Sequence, residues 1–238
     1  MLTIPKAKAL SLFYPCYNEA DTIFNLVTKS IPIIDSLAQK WEIILINDGS
    51  TDQTARVLCD LRVKFGPRIK IITHSHNRGY GAALKSGFYQ AIYPWIAFTD
   101  ADGQFDLKDI FRLIKKQRQT QADLVIGYYL RRQVPRYRRL GTVVWQFLVF
   151  LFFGLRVRDI DCAFKLISRR VIDTIPRLQA ERGPFISSEL LIKAKKAGFK
   201  VEEVSVHHYP RLAGQATGTN LNVILSALKD LIRLRFII

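Results

Sequence analysis

Short apolar runs alternate with stretches of helical periodicity through the first half of the chain. Leu10–Tyr14 (LSLFY), Trp41–Ile46 (WEIILI), Ile69–Thr73, Trp95–Thr99 (WIAFT) and Asp123–Gly127 have strand length and are rich in β-branched and aromatic residues. Between them, Ala20–Gln39 (interrupted by Pro32), Asp52–Phe65, Arg78–Ile92 and Leu107–Gln119 space their apolar positions as helices do. Strands alternating with helices predict an α/β fold, a doubly wound and mostly parallel sheet flanked by helices. Ligands of such sheets bind beyond the carboxyl ends of the strands. That rule nominates Tyr17, Asn18 and Glu19 after the first strand, Asp48 after the second, Asp100 and Asp102 after the fourth, and Arg131 and Arg132 after the fifth.

Beyond Gly127 the alternation breaks down. Thr142–Leu155 (TVVWQFLVFLFFGL) is strongly apolar but spans 14 residues, short of the roughly 20 that cross a bilayer as a helix. Two readings stand: a buried core helix, or an amphipathic helix lying in a membrane interface. In the second, Trp145, Phe147, Phe150, Phe152 and Phe153 enter the acyl boundary while nearby arginines meet lipid phosphates. The C-terminus repeats the recipe, with Leu221, Val223, Ile224, Leu225, Leu228, Leu231 and Ile232 at helical spacing beside Lys229, Arg233 and Arg235. No repeat, low-complexity tract or linker divides the chain, so residues 1–238 are expected to form one domain with a first half, 1–127, and an elaborating second half, 128–238.

Composition narrows this. A chain of 238 residues, 49% hydrophobic and 24% charged, is long enough to bury a sizeable core. Cys16, Cys59 and Cys162 are odd in number and in no metal-ligand spacing, which fits a reducing compartment. Met1–Lys8 is short and broken by Pro5, unlike a signal peptide. The expected location is cytoplasmic, at the inner face of a membrane. Charge is the unusual property: 36 Lys and Arg against 20 Asp and Glu give +16, so an acidic partner is expected. Residues 1–127 hold 16 basic and 12 acidic side chains, a net of +4, and residues 128–238 hold 20 and 8, a net of +12. The densest run is Arg131, Arg132, Arg136, Arg138 and Arg139, directly before the apolar stretch.

Asp100-Ala101-Asp102 is the sharpest chemical feature. Two carboxylates at the end of an apolar strand face one mouth of the sheet, and an unpaired buried carboxylate is very costly. A hard divalent cation, Mg2+ or Mn2+, bridging to substrate phosphates would compensate both. Asn47-Asp48-Gly49-Ser50-Thr51-Asp52 reads as an Asx turn with a helix N-cap at Ser50 or Thr51, and Asp48 is also placed to accept hydrogen bonds from a base or ribose. The phosphate-loop pattern GxxxxGK[ST] is absent from the chain. Asn77-Arg78-Gly79-Tyr80-Gly81 opens a helix without the full GxGxxG spacing. His74, His76, His207 and His208 form no metal spacing; His207 and His208 alternate at a strand end, one expected toward the packed side of the sheet and one toward the site.

Together, Pro15-Cys16-Tyr17-Asn18-Glu19, Asn47-Asp48-Gly49-Ser50-Thr51-Asp52, Asn77-Arg78-Gly79-Tyr80-Gly81-Ala82-Ala83-Leu84 and Asp100-Ala101-Asp102-Gly103-Gln104 resemble the inverting GT-A glycosyltransferases of family 2. Within it the chain is most similar to the dolichyl- or polyprenyl-phosphate sugar transferases, of the dolichol-phosphate mannosyltransferase kind. The resemblance continues through Asp159-Ile160-Asp161-Cys162-Ala163-Phe164-Lys165, Ser188-Glu189 and His207–Gly214. It implies a GT-A fold and a nucleotide-sugar donor, GDP-mannose or a UDP-hexose, with the donor side of the site formed by Pro15, Tyr17, Glu19, Asp48, Asp100 and Gln104. Glu19 and Asp48 would contact the nucleoside, and Asp100, Asp102 and Gln104 would hold the metal on the diphosphate. The family's phosphate-binding arginines map onto Arg131 or Arg132, Arg138 or Arg139, and Arg211. Two segments depart from the family's usual pattern: its small-Gly-Phe-Arg run reads Cys162-Ala163-Phe164-Lys165 here, and its Leu-Gln-His run reads Gly103-Gln104-Phe105.

The reaction so implied moves a hexose to a polyprenyl or dolichyl phosphate. A lipid phosphate is already an anion and needs no general base, whereas a saccharide hydroxyl needs one, for which Asp159 or Asp161 is the candidate. The plainer reading of that pair is ion pairing with Arg156, Arg158 or Lys165. Glu189 either orients the acceptor or pairs with a neighbouring lysine. A nucleic-acid binder would account for +16 but not for the carboxylate pair or the Phe- and Trp-rich stretch, so no nucleic acid is expected. The expected partners are donor, lipid acceptor and an anionic membrane surface, with room for a membrane-protein partner.

Overall fold

In a computed structural model, described for residues 6–130, 136–210 and 221–237, leaving aside the side chains of 136–140, 221–225 and 237, one seven-stranded sheet organises the chain. Its strands are β1 (Ala7–Cys16), β2 (Ala38–Asn47), β3 (Ile69–Thr73), β4 (Trp95–Phe98), β5 (Leu124–Tyr129), β6 (Lys165–Ser168) and β7 (Val201–Val206), in the spatial order β3-β2-β1-β4-β6-β5-β7. The helices are α1 (Ala20–Leu37), α2 (Thr54–Phe65), α3 (Tyr80–Gln90), α4 (Ile110–Thr120), α5 (Arg136–Phe153), α6 (Arg169–Thr174), α7 (Phe185–Lys196) and α8 (Leu221–Ile237).

β1, β2, β3 and β4 pair in parallel, β6 pairs antiparallel with both β4 and β5, and β5 pairs in parallel with β7. Six strands therefore run one way and end on one edge, where β6 alone begins. β1, β2 and β4 are almost wholly buried because helices cover both faces, which is why these strands read as continuous apolar runs rather than as alternating ones. Phe13 of β1 and Phe98 of β4 stack at 5.1 Å, and Phe88 of α3 meets both edge-on at 5.1 and 5.4 Å. Gly87 lets α3 come this close, since a Cβ there would lie 2.4 Å from the Phe13 ring.

Where the observed elements differ from the expected ones, tertiary packing is the reason. β1 continues through Pro15, whose missing N–H costs nothing on the side facing β4, because that pairing stops at Phe13. α1 is not interrupted at Pro32: the proline lies on the solvent face while Ser30, Ile34 and Leu37 keep the opposite face docked. Beyond Gly127, where the regular alternation was expected to break down, β6, α6 and α7 are elements that had not been expected, whereas β7 ends directly before His207, as the expected strand end there requires. The expected N-cap at Ser50 or Thr51 is also displaced. Ser50 N–H does donate to Asn47 Oδ1 at 3.0 Å, but the helix begins at Thr54, whose N–H donates to Asp52 Oδ1 at 2.9 Å.

Candidate active site

The first two motifs are laced together at the ends of β1 and β2. Asn18, at φ +56°, donates its N–H to Ser50 Oγ at 3.1 Å, and its Oδ1 accepts the Thr51 N–H at 2.9 Å. Glu19 N–H donates to Thr54 Oγ1 at 2.8 Å, and the Glu19 carboxylate accepts from Thr22 Oγ1 at 2.8 Å. Gly49 sits at φ +65° with the backbone of His76 and Asn77 directly against it; a Cβ would lie 2.3 Å from His76 C. Tyr17 is exposed and Pro15 partly so, both beside this turn.

Asp48 is buried and has three protein donors. Its Oδ1 accepts from His74 Nδ1 at 2.6 Å and from Arg78 N–H at 3.0 Å, and its Oδ2 accepts from Gly79 N–H at 2.9 Å. His74 reaches on through Nε2 to Ser86 Oγ at 2.8 Å. The carboxylate therefore organises the Asn77-Arg78-Gly79 turn at the start of α3. Nothing in residue spacing pointed to His74: a lone histidine closing a parallel strand carries no local signal.

Asp100 and Asp102 follow the end of β4, on the edge of the sheet where β1 and β2 also end. Tyr80, which opens α3, donates its hydroxyl to Asp100 Oδ1 at 2.8 Å. Burial, reinforced by the Asp100 charge, holds the Tyr80 phenol well above its usual range, so it remains a donor. Asp102 is 3% exposed and its Oδ1 accepts the Gln104 N–H at 3.0 Å. Gln104 in turn donates Nε2 to the Tyr209 carbonyl at 3.0 Å and accepts the Tyr209 N–H on its own carbonyl at 2.8 Å. His208 bridges to Phe105 and packs against Tyr129, ring centroids 4.5 Å apart. His207 turns its backbone N–H and ring to Asp109. The 207–210 segment is thus tied across the Asp102–Phe105 turn. Arg211, which follows it, lies outside the described residues, as do Arg131 and Arg132; the backbones of Arg138 and Arg139 lie in α5 and their side chains outside the description.

The donor chemistry here fits a hard cation: two carboxylates two residues apart on one strand end, with Gln104 beside them. Among the described residues, no three His, Cys, Asp or Glu side chains form a ready metal cluster.

Asp159 and Asp161 occupy the turn leading into β6. Asp159 is buried and accepts the Asp161 N–H at 3.0 Å. Arg156 and Arg158 lie over the rings of Phe150 and Tyr128, and Lys165 donates to the carbonyls of Ile160 and Cys162. Burial pulls the Lys165 ammonium below the usual lysine range, against the raising influence of Cys162, Asp159, Asp161 and Asp100. Of the two readings of Glu189, the structure supports the lysine pair: it bonds Lys193 at 2.6 Å and accepts the N–H groups of Gln179 and Ala180.

α5 has two apolar faces. Trp145 turns inward, donating Nε1 to Ser188 Oγ at 3.1 Å and meeting the Phe185 ring edge-on, and Val149 is fully buried. Val143, Val144, Phe147 (59%), Leu151 and Phe152 are exposed. The helix thus has one face in the core, as the first reading expects, and a second, apolar face that is exposed, with Trp145 on the core side rather than the outer one. α8 packs on α5 and exposes Ile232 and Phe236. Among the described residues no helix is long and apolar enough to cross a membrane.

A mostly parallel sheet with this strand order and an Asp-x-Asp turn at its carboxyl edge is the GT-A fold. The chain belongs to glycosyl transferase family 2, whose sequence pattern matches residues 11–175. It is 30% identical over 217 residues to the undecaprenyl-phosphate 4-deoxy-4-formamido-L-arabinose transferase of Salmonella choleraesuis (strain SC-B67), and equally to that of Salmonella newport (strain SL254). Both alignments cover 91% of this chain, which spans 64% of each relative's length. Among solved structures, glucosyl-3-phosphoglycerate synthase from Mycobacterium tuberculosis, in complex with Mn2+, UDP and glucosyl-3-phosphoglycerate, superposes with a TM-score of 0.67 at 18% identity. That match covers 94% of this chain and 77% of the other. A second structure of that synthase gives 0.68 at 17% identity, over 96% and 80%.

Proposed function

We propose that this protein is an inverting, metal-dependent glycosyltransferase. It moves a hexose from a nucleotide-sugar, GDP-mannose or a UDP-hexose, to a polyprenyl or dolichyl phosphate at the surface of a membrane. The observation that carries the reading is one molecule holding an Asp-x-Asp strand end, with Asp102 buried, and a helix that turns Val143, Val144, Phe147, Leu151 and Phe152 to solvent. The relatives named above, whose acceptor is undecaprenyl phosphate, support the acceptor class.

The turn made by Pro15, Tyr17, Glu19 and Asp48 receives the nucleoside. Asp48, fixed by His74 and the Arg78 and Gly79 N–H groups, shapes that pocket. Asp100, Asp102 and Gln104 would hold Mg2+ or Mn2+, which when bound offsets charge developing on the leaving diphosphate. Tyr80 fixes the orientation of Asp100, and the 207–210 segment fixes Gln104. Arg131, Arg138 and Arg211 are assigned to the phosphates of donor and acceptor, where fixed guanidiniums stabilise charge as it grows. The acceptor attacks as an anion, so no proton must be removed to create the nucleophile. The exposed face of α5 would lie in the membrane interface, with the surrounding arginines at anionic headgroups. The protein would then work peripherally at the cytoplasmic face.

Incubation of purified protein with radiolabelled nucleotide-sugars, Mn2+ or Mg2+, and polyprenyl phosphate tests the assignment. Label is expected in the lipid phase with one donor. Absence of labelled lipid with every donor, alongside transfer to a saccharide, would point instead to a hydroxyl acceptor with Asp159 or Asp161 as base.

A further inference from the structure

β2 ends at Asn47 and β3 at Thr73, two residues in register. The next residue of each strand contributes to a buried pair. His74 Nδ1 lies 2.6 Å from Asp48 Oδ1, and the two side chains are 6% and 4% exposed. His74 N–H donates to the Asn47 carbonyl at 2.9 Å and Asp48 N–H to the Cys16 carbonyl at 2.9 Å, so the backbone is held on both sides of the pair. The far side of the ring reaches α3, where Nε2 lies 2.8 Å from Ser86 Oγ. The imidazole is thus engaged at both nitrogens, between a carboxylate and a hydroxyl.

The direction of these bonds follows from the neighbours. Arg78 N–H donates to Asp48 Oδ1 at 3.0 Å and Gly79 N–H to Oδ2 at 2.9 Å. Backbone N–H groups only donate, so both oxygens act as acceptors and the hydrogen of the short contact is assigned to Nδ1. In a neutral imidazole this leaves Nε2 as an acceptor, which the Ser86 hydroxyl fills by donating. A carboxylate offers about four acceptor positions, shared between its oxygens. Oδ1 uses its share on His74 and Arg78, whereas Oδ2 receives Gly79. Among the described residues, the position left over is on Oδ2.

We propose that His74 and Ser86 are positioning residues for Asp48. Ser86 holds Nε2, the ring therefore presents Nδ1–H to Oδ1, and the carboxylate cannot turn to exchange its two oxygens. Oδ2 keeps an acceptor position of fixed direction, which suits an N–H or O–H of a nucleoside. Without His74 the Arg78 and Gly79 amides still hold Asp48, so the turn persists; what is lost is the fixed direction of Oδ2. The effect on donor binding rests on the glycosyltransferase reading; the assignment of the ring does not.

The experiment uses the full chain as wild type, His74→Phe, His74→Asn, His74→Gln and Ser86→Ala. Nitrogen NMR of the imidazoles at mildly alkaline pH, with the His74 signals identified by their loss in His74→Phe, is expected to show a protonated Nδ1 and an unprotonated Nε2. The Nε2 signal is expected to move in Ser86→Ala. In sugar transfer, His74→Phe, which keeps a ring without a donor, is expected to raise donor KM about 10-fold with kcat within about twofold, the mark of lost uniform binding. His74→Asn, whose amide N–H stands near the place of Nδ1, is expected to bring KM back to within about threefold of wild type, and His74→Gln, whose amide stands near Nε2, is not. Ser86→Ala is expected to raise donor KM about threefold. If His74→Phe does not fold, His74→Asn serves for signal identification, and Ser86→Ala with the asparagine–glutamine comparison carries the kinetic expectation. A protonated Nε2, an unprotonated Nδ1, wild-type donor KM in folded His74→Phe, or equal rescue by glutamine and asparagine overturns the proposal. A wild type that transfers no sugar from any donor while Nδ1 alone is protonated refutes the transferase reading and leaves the link from Ser86 through His74 to Asp48 standing.

Discussion

Asp48 and Asp102 are both buried carboxylates at strand ends, yet their surroundings give them different work. Three N–H donors converge on Asp48, so it holds a turn in shape. Replacing it with asparagine leaves an oxygen and an amide where two oxygens accepted, and either Arg78 or Gly79 loses its acceptor. Asp48→Asn is expected to lower the unfolding free energy by about 2 kcal/mol, read by urea denaturation, the usual cost of orphaning a buried donor. Asp102 accepts the N–H of Gln104 and follows Asp100 by two residues beyond β4. Asp102→Asn keeps the shape and removes the charge; kcat/KM for transfer is expected to fall about 100- to 1000-fold, while a cooperative thermal transition remains. Both aspartates were legible as strand-end carboxylates. Their division of roles was not, because His74, Arg78 and Gly79 reach Asp48 from 26 or more positions away.

α5 shows the same limit for an element. Its apolar run was plain in the sequence, but a run that is apolar nearly all round does not say which side meets the core. Contact with α7 decides it: Trp145 turns to Ser188 and Phe185, which leaves Phe147 and Leu151 outward. Phe147→Glu with Leu151→Glu is expected to abolish cosedimentation with anionic vesicles. Surface changes of this kind move stability by no more than about 0.5 kcal/mol, so the melting temperature is expected to stay near wild type. Equal vesicle binding by wild type and the double variant would remove the membrane role of this face. α1 is a milder case, where a proline on the solvent side leaves a docked helix continuous.

Across the whole molecule, charge and burial are divided between the halves. The near-balanced first half, at +4, carries the turns after β1 and β2 assigned above to the donor, and the second half, at +12, carries the arginine-rich run and the exposed apolar helix face. Vesicle binding is accordingly expected to weaken as salt rises from about 50 to 500 mM, since exposed charges are screened over a Debye length. The halves are joined by buried polar links as well as by the sheet. Glu189 and Lys193, 1% and 2% exposed, hold the 177–180 backbone, and the neighbouring Glu181 carbonyl accepts the Ala82 N–H of α3. Lys193→Met strands a buried carboxylate and is expected to cost about 3 to 5 kcal/mol in urea unfolding.

The sequence by itself determined the alternation of strands and helices, the carboxylates at the strand ends and the uneven charge. These depend on residue type and on spacing over one turn or one strand, which the chain carries locally. Only the tertiary structure decided that β6 enters between β4 and β5 in the opposite direction, that Lys165 is buried at the site edge, that His74 and Tyr80 brace the two aspartates, and which face of α5 looks outward. Each of these is a contact between distant segments, set by which surfaces must be buried together. The charge of +16 is a sum over residues, but which of those charges stands in water and which, like Lys165 and Lys193, is buried is a property of the fold.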